Sequence, residues 1–213
     1  MTVPIKDLSD GRLRRSARTR KALIEAYLDL LRENQRPPSA PEIAKRAGCS
    51  ARSVFERFSD LLTLSLAAAD YAFAQAMAQA AVPNLDADLH TRLKSQVETR
   101  AALCEQWLPL WRALVRYQSA SEELAIRIKR IRAAMISRLA LVYGPELSTL
   151  SEPERVQVLV ALDILTDFES WGRLREDHGL SIKAARDLWI NAIERMLPAA
   201  AGNPAHSSPL ASG

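Results

Sequence analysis

The sequence predicts an all-α fold, and three observations support this prediction. Apolar residues recur at intervals of three and four along most of the 213 residues, which is the spacing of a helix face. Hydrophobic residues make up 48% of the chain and only 7 residues are Gly, which suits a mostly helical protein. Breaks that contain Pro, at 36–38 and 144–145, separate periodic segments.

Composition narrows the class of protein. No apolar run of 18 residues is free of charges, which predicts no membrane span and no membrane partner. Cys49 and Cys104 lie far apart without metal-ligand spacing, which predicts reduced thiols in a cytoplasmic protein with no metal. The histidines, His90, His178 and His206, are scattered, and no phosphate loop or nucleophile motif is present. We therefore expect no enzyme, no catalytic residues and no cofactor.

Positive charge is concentrated at the N-terminal end. Residues 1–60 contain 13 Lys and Arg against 8 Asp and Glu, a net charge of +5, whereas residues 61–213 have a net charge of −1. A basic end joined to a near-neutral body is expected when one module meets phosphates and the other does not.

The first 15 residues lack apolar periodicity, which predicts a flexible arm, and Arg12, Arg14 and Arg15 make it basic. Two interpretations stay open: the arm lies along a nucleic-acid backbone or in a minor groove, or it is a solvated tail. The first helix is predicted from about Ser16 to Gln35, and Tyr27 is expected in its core-facing stripe.

A pair of short helices separated by a tight turn follows. Ser39 and Glu42 form a capping box at the start of the first of these helices. Gly48 is suited to the left-handed conformation that ends it. Ser50 caps the second helix. This pattern predicts a helix-turn-helix.

The second helix of such a unit fits the major groove of DNA, with its inner apolar residues turned away from it. Arg52 is expected to make a bidentate pair with guanine, Glu56 to accept from cytosine, and Ser53 to reach a base or a phosphate. Helix-turn-helix corners also occur in bundles that never touch DNA, which is the competing interpretation. The candidate DNA-binding residues are Arg12, Arg14, Arg15, Ser39, Lys45, Ser50, Ala51, Arg52, Ser53, Phe55, Glu56 and Arg57.

The motifs Ala44-x-x-Ala47-Gly48-Cys49-Ser50 and Val54-Phe55-x-x-Phe58, between two longer helices, resemble the DNA-binding domain of the TetR family of bacterial transcriptional regulators over about residues 16–66. The resemblance implies a three-helix DNA-binding domain and a larger helical domain that binds an effector and dimerises. Phe55 and Leu61 stand where the family usually has a tyrosine and a lysine that contact DNA phosphates. Backbone contact is then expected from elsewhere, for example from the basic arm.

The segment after Phe58 predicts a long helix that Ser59 or Asp60 caps and that runs to about residue 82. The resemblance implies that this fourth helix links the DNA-binding unit to the effector domain. A helix at 86–106 precedes Trp107-Leu-Pro-Leu-Trp111, where Pro109 is expected to bend or restart the helix. The two indoles either line an apolar ligand pocket or pack in the core, and we favour the core.

A further helix is predicted from Ser121 to Tyr143. One face of it is basic, and we interpret this face as a solvated surface rather than as a second surface for nucleic acid or an acidic ligand. The basic residues are Arg127, Lys129, Arg130, Arg132 and Arg138.

The segment from Arg155 to Leu174 is apolar nearly all round, and a second apolar helix follows Ser181. Helices of this kind must be covered on most sides, which favours a four-helix interface between two copies of the chain. The candidate dimer residues are Val158, Leu162, Leu165, Leu188, Trp189 and Ile193.

Asp163 and Asp167 interrupt the apolar segment four residues apart. Each needs a partner if buried, either a cationic or hydroxylated effector or an internal arginine such as Arg112, Arg116 or Arg138, and we favour the arginine. The candidate effector-binding residues are Trp107, Trp111, Tyr117, Met135, Asp163, Asp167, Phe168 and Trp171.

These observations predict an arm at 1–15, a helix-turn-helix domain at 16–60, an effector-binding and dimerisation bundle at 61–198 and a disordered tail at 199–213. We expect a homodimeric regulator, most simply a repressor, that binds a palindrome in double-stranded DNA and is released by an unknown small-molecule effector. The alternative is a helical protein-interaction module that does not bind specific DNA.

Overall fold

The computed structural model describes residues 5–34, 36–79 and 83–198, and the regular elements in these ranges are all helical. The all-α prediction is therefore confirmed. The first four residues of the predicted arm and the predicted tail at 199–213 lie outside the described residues.

The helices follow one another with short connections. In chain order they are α1 (Ile5–Asn34), α2 (Ala40–Ala47), α3 (Ala51–Arg57), α4 (Leu61–Gln79), α5 (Leu89–Tyr117), α6 (Glu122–Val142), α7 (Gly144–Leu147), α8 (Glu152–Leu165), α9 (Phe168–Gly172) and α10 (Ile182–Met196). A 3₁₀ turn, Gln118–Ala120, follows α5 and a π-helical turn, Arg173–Asp177, follows α9.

By their contacts the described residues divide into two compact units. The first lies within Met1–Ala80 and Glu105–Ile131, and the second within Ala81–Cys104 and Arg132–Gly213. This division differs from the predicted boundary at residue 60, because α4 and the end of α5 fall in the first unit. The functional boundary at residue 60 stays a prediction.

The first unit is built around α1, which packs on α2, α3 and α4. Leu23, Ile43, Val54 and Leu64, one from each of the four helices, are fully buried. Tyr27 is also buried, as predicted, and burial, with the nearby Tyr117 hydroxyl, raises its pKa to about 12. Helix α1 begins at Ile5 rather than near Ser16, so the described part of the predicted arm is helical.

Helix α4 begins where predicted. The Asp60 carboxylate accepts from the backbone N–H of Thr63 at 2.7 Å, which caps the helix. By length and composition alone α4 would suffice to cross a membrane, a property that core helices of soluble proteins share. Five residues of α4 are buried, and its Asp70 forms an ion pair with Arg127 at 3.0 Å. The absence of a membrane partner stays a prediction.

Helix α5 runs through Pro109 without restarting, so of the two predicted outcomes the restart is wrong and the bend stays a prediction. A proline inside a helix costs about 3 kcal/mol through a lost hydrogen bond and a steric clash. Leu108 and Leu110 on either side of it are buried, as are Trp107 and Trp111. Burial of these large side chains offsets the cost of Pro109 inside the helix. The local sequence alone does not indicate this burial.

In the second unit, α5 buries a polar stripe made of Arg92, Gln96 and Arg100 at intervals of one turn. Arg92 donates to the carbonyl of Val142 at the end of α6 and pairs with the buried Glu146. Arg100 donates from Nε to the carbonyl of Thr166 at 2.7 Å, just past the end of α8. The two arginines therefore satisfy carbonyls at the C-termini of α6 and α8, where positive charge is favourable.

The apolar segment predicted as one helix from 155 to 174 is broken in the structure. Helix α8 ends at Leu165, and Asp167 takes an extended conformation as the N-cap of α9, accepting from the backbone N–H of Glu169 at 3.3 Å. Thr166 turns its hydroxyl back to the carbonyl of Leu162 at 2.8 Å. Short polar side chains that bond the nearby backbone compete with helix continuation, which explains the break.

Candidate nucleic-acid interface

The turn between α2 and α3 has the geometry that the sequence predicts. The Ser39 N–H and hydroxyl both donate to the Glu42 carboxylate, at 2.8 and 2.6 Å, and Arg36 pairs with Glu42 at 2.6 Å. The hydrogen bonds from Arg36 and then from Ser39 lower the pKa of Glu42 to about 2. Gly48 ends α2 in the left-handed region, at φ 68°, and the Cys49 N–H donates back to the carbonyl of Ala44 at 3.0 Å.

Both ends of α3 are held. The Ser50 hydroxyl accepts from the backbone N–H of Ser53 at 3.2 Å, which is the predicted N-cap. At the other end the Arg20 guanidinium donates to the carbonyl of Arg57 at 3.2 Å and stacks on the ring of Phe58, 4.3 Å from its centroid. With Val54 and Phe58 buried, α3 is anchored along its inner face and at both termini.

The outer face of α3 is exposed and carries opposite charges. The side chain of Arg52 is 87% exposed and its Nε lies 3.0 Å from a carboxylate oxygen of Glu56. Arg57 approaches the same carboxylate at 3.8 Å. Phe55 lies on this face with 54% of its surface exposed. The arrangement presents one guanidinium, one carboxylate and one aromatic ring to a partner.

The other candidate DNA contacts are in varied environments. Lys45, Arg14 and Arg15 are exposed, and nothing is described of the Arg12 side chain. The hydroxyls of Ser50 and Ser53 lie 2.9 Å apart, so one of them donates to the other and the second O–H is left as a donor for DNA. The Ser39 hydroxyl donates to Glu42 and must exchange this partner to donate to a phosphate. All of these contacts stay predictions.

Comparison with solved structures decides the fold. A transcriptional regulator from Rhodococcus sp. Rha1 superposes with a TM-score of 0.67 at 19% identity, covering 84% of this chain and 97% of that one. A TetR-family transcriptional regulator from Streptomyces coelicolor has a TM-score of 0.68 at 20% identity, covering 84% and 79%. A TetR-family regulator from Rhodococcus sp. has a TM-score of 0.59 at 21% identity, covering 85% and 99%.

The chain has the TetR-family fold. The resemblance seen in the sequence is confirmed at this level. No family model matches the chain, and no curated protein does.

Within the TetR-family fold, the candidate effector residues are shared between the two compact units. Trp107, Trp111 and Tyr117 fall in the first unit. Both tryptophans are buried, as core packing requires, and Arg32 stacks on Trp107 with its guanidinium carbon 5.0 Å from the ring centroid. A ligand-lining role for these aromatics stays a prediction.

The remaining candidates fall in the second unit, where Arg100 joins two of them. Its guanidinium donates to the Met135 sulfur at 3.0 Å and lies 4.8 Å from the ring centroid of Phe168. Trp171 packs on Trp189 with the ring centroids 4.7 Å apart. Phe168 and Trp171 are buried and Met135 is half-buried, and their role in effector binding stays a prediction.

Asp163 is half-buried and its immediate charged surroundings differ from those expected. Burial raises its pKa, the nearby Asp167 adds to that effect, and the positive charges of Arg100 and Arg132 oppose it. This environment is consistent with the favoured interpretation, an internal arginine as the partner of Asp163. The arginines that act on the pKa of Asp163 are Arg100 and Arg132, however, and not the three that were suggested from the sequence. An effector contact at Asp163 or Asp167 stays a prediction.

The candidate dimer residues divide by burial. Leu162, Trp189 and Ile193 are fully buried within the chain, whereas Leu188 is 40% exposed. Val158 and Leu165 are half-buried. Leu165, Leu188 and Trp189 also line a cavity of about 170 Å³ in the second unit.

Helix α8 presents a different apolar stripe that sequence reasoning did not select. Val156, Val160 and Ile164, spaced four apart, are 49%, 49% and 64% exposed. Their interval was visible in the sequence, but an all-round apolar helix gives no sign of which side the chain covers by itself. The sequence likewise gives no sign of the role of Arg20, because the Arg57 carbonyl to which it donates is 37 residues away.

Proposed function

We propose that this protein is a DNA-binding transcriptional regulator. The observation that carries the proposal is the exposed face of α3, which offers Arg52, Phe55 and Glu56 on a helix anchored by Ser50 and Arg20. A short helix that is rigid on its inner side and chemically varied on its outer side is what the major groove accommodates. The basic N-terminal end supplies the sequence-independent attraction to phosphates.

We further propose that it works as a homodimer through the exposed stripe Val156, Val160 and Ile164 together with Leu188 of α10. Aliphatic side chains in a contiguous row are stabilised by burial against a second copy. Two copies would present two α3 helices at a constant spacing and so select a palindrome.

Regulation follows from linkage. An effector that binds better to the conformation that does not bind DNA weakens DNA binding, and DNA weakens effector binding by the same factor. We propose that the protein acts in the cytoplasm as a repressor that such an effector releases from DNA. A cell-free transcription assay with the operator placed over a promoter tests whether the protein represses or activates transcription. A repressor lowers the transcript yield as protein is added.

The direct test is selection of DNA from a random-sequence pool by the purified protein at two salt concentrations. One palindrome should be enriched, and its affinity should fall steeply with salt. Arg52→Ala should lose discrimination at one base pair of each half-site, by about 1–3 kcal/mol.

Arg130→Ala is the matched control, because Arg130 is an exposed arginine on α6 outside the helix-turn-helix. It should retain the wild-type sequence preference. If no sequence is enriched and residual binding only fades with salt, the helix-turn-helix is a structural corner and the proposal fails.

A further inference from the structure

The outer face of α3 is divided into two halves of different chemistry. Ala51 and Phe55, one turn apart, form an apolar half, and Arg52 and Glu56, also one turn apart, form a charged half. The two halves are about 100° apart around the helix axis, so both can face one groove at once. A reading surface with two chemistries implies that two kinds of base feature are read.

The charged half has a definite orientation. Glu56 accepts from Nε of Arg52 at 3.0 Å, and this leaves the two terminal nitrogens of the guanidinium directed away from the bond. Those two nitrogens are the edge that pairs with O6 and N7 of guanine. In the free protein this bond orients the Arg52 side chain, and the cytosine contact expected of Glu56 stays a prediction.

The apolar half of the α3 face cannot form hydrogen bonds with DNA phosphates. A phenyl ring carries no hydrogen-bond donor, and Phe55 keeps 54% of its surface exposed beside the exposed Ala51. In the major groove the one apolar feature of a base edge is the 5-methyl group of thymine. Packing the ring against that methyl removes apolar area of both groups from water.

We propose that Phe55 reads the 5-methyl group of a thymine within two base pairs of the guanine that Arg52 reads. Residues three apart on a helix have Cβ atoms about 5–6 Å apart. Successive base pairs are about 3.4 Å apart along the DNA axis, so side chains at 52 and 55 reach base pairs one or two steps apart. This inference rests on the proposed function and specifies the sequence that the regulator selects.

The test replaces each thymine of the selected operator in turn by deoxyuridine, which removes only the methyl group. Affinity of the wild-type protein should fall about four-fold for one thymine per half-site, the effect of one buried methyl. Phe55→Ala should bind the thymine and deoxyuridine operators equally, whereas Phe55→Tyr should keep the preference for thymine. Circular dichroism should show that both variants fold, because the side chain is exposed in the native protein.

Phe73→Ala is the matched control, since Phe73 is an exposed phenylalanine on α4, outside the helix-turn-helix. The Phe73→Ala variant should lose DNA affinity on deoxyuridine replacement to the same extent as the wild-type protein. If the protein binds its palindrome but no single deoxyuridine weakens binding, or if Phe55→Ala keeps the sensitivity, the thymine proposal is overturned while the regulator stands. Absence of any selected sequence overturns both.

Discussion

The helix-turn-helix and the C-terminal helices both expose apolar side chains to water, but the neighbouring side chains differ in chemistry. On α3 the exposed Phe55 stands beside Arg52 and Glu56, which are charged. On α8 the exposed Val156, Val160 and Ile164 form a purely aliphatic row. A surface with both charged and apolar side chains suits transient binding to a polar partner. An exposed aliphatic row is instead stabilised when it is permanently buried in an interface. One protein therefore carries two surfaces with different energetics, and substitutions can separate them.

The largest effect is expected inside the second unit, where α10 contributes to the core. Trp189→Ala removes a fully buried indole that packs on Trp171. The free energy of unfolding should fall by about 3–5 kcal/mol, because both the transfer energy and a cavity are involved. Urea denaturation measures it. Asn191→Ala on the exposed side of α10 should stay within about 0.5 kcal/mol, and equal losses would contradict the assignment of inner and outer faces.

The aliphatic row should respond in association rather than in folding. Val160→Arg places one charge from each copy in the proposed interface, and the dissociation constant should rise about 100-fold or more, since juxtaposed like charges cost several kcal/mol. Sedimentation equilibrium measures this constant. Gln157→Arg adds the same charge at an exposed neighbour on α8 and should leave the dimer intact. A monomeric wild-type protein would remove the basis of the proposed interface.

The helix-turn-helix should be sensitive to a contact that crosses it. Arg20→Ala removes the hydrogen bond to the carbonyl of Arg57 and the stacking on Phe58. Unfolding should become easier by about 1–2 kcal/mol, because a charged hydrogen bond and a partly exposed cation–π contact are both lost. Thermal denaturation at low salt measures it.

Arg18→Ala provides the comparison, because Arg18 is an exposed arginine on the same helix. It should lower DNA affinity through lost phosphate attraction and leave stability nearly unchanged. Equal stability for the two variants would mean that Arg20 does not anchor α3.

The contrast between the two regions also explains what the sequence could predict. The starts of α2, α3 and α4 and the end of α2 follow from residues within four positions of each other. These are Ser39 with Glu42, Ser50 with Ser53, Asp60 with Thr63, and Gly48. Such caps are local chemistry, and the sequence predicted each of them, with Ser59 as the alternative to Asp60. The all-α class followed from periodicity for the same reason.

The features that the sequence missed depend on distant residues. Pro109 stays inside α5 because buried neighbours offset its cost, and Arg100 reaches Thr166, 66 positions away. The break after Leu165 was hidden because the apolar run continues on both sides of Thr166 and Asp167. The packing of the second unit determines which side of α8 is exposed. The local sequence pattern does not indicate this side, because α8 is apolar nearly all round.

The smallest effects are expected from two carboxylates whose pKa values move in opposite directions. The pKa of Glu42 is lowered to about 2 by Arg36 and Ser39, so its contribution to stability is fully present above pH 4.5 and is lost as pH falls towards 2. The pKa of Asp163 is raised, chiefly by burial, so its ionised form opposes folding once pH rises above 3.8.

Melting temperatures of Glu42→Gln and Asp163→Asn, measured from pH 2 to 7, test this pair. Glu42→Gln should match the wild-type melting temperature near pH 2 and fall below it by pH 5, because the amide cannot replace the charge-assisted bonds. Asp163→Asn should match near pH 3 and exceed the wild-type value at pH 7, because the amide has no charge to bury. A loss of stability for Asp163→Asn at neutral pH would show that the Asp163 charge is compensated by Arg100 and Arg132 more fully than its burial implies. The second unit would then hold an internal ion pair of the kind that the sequence suggested.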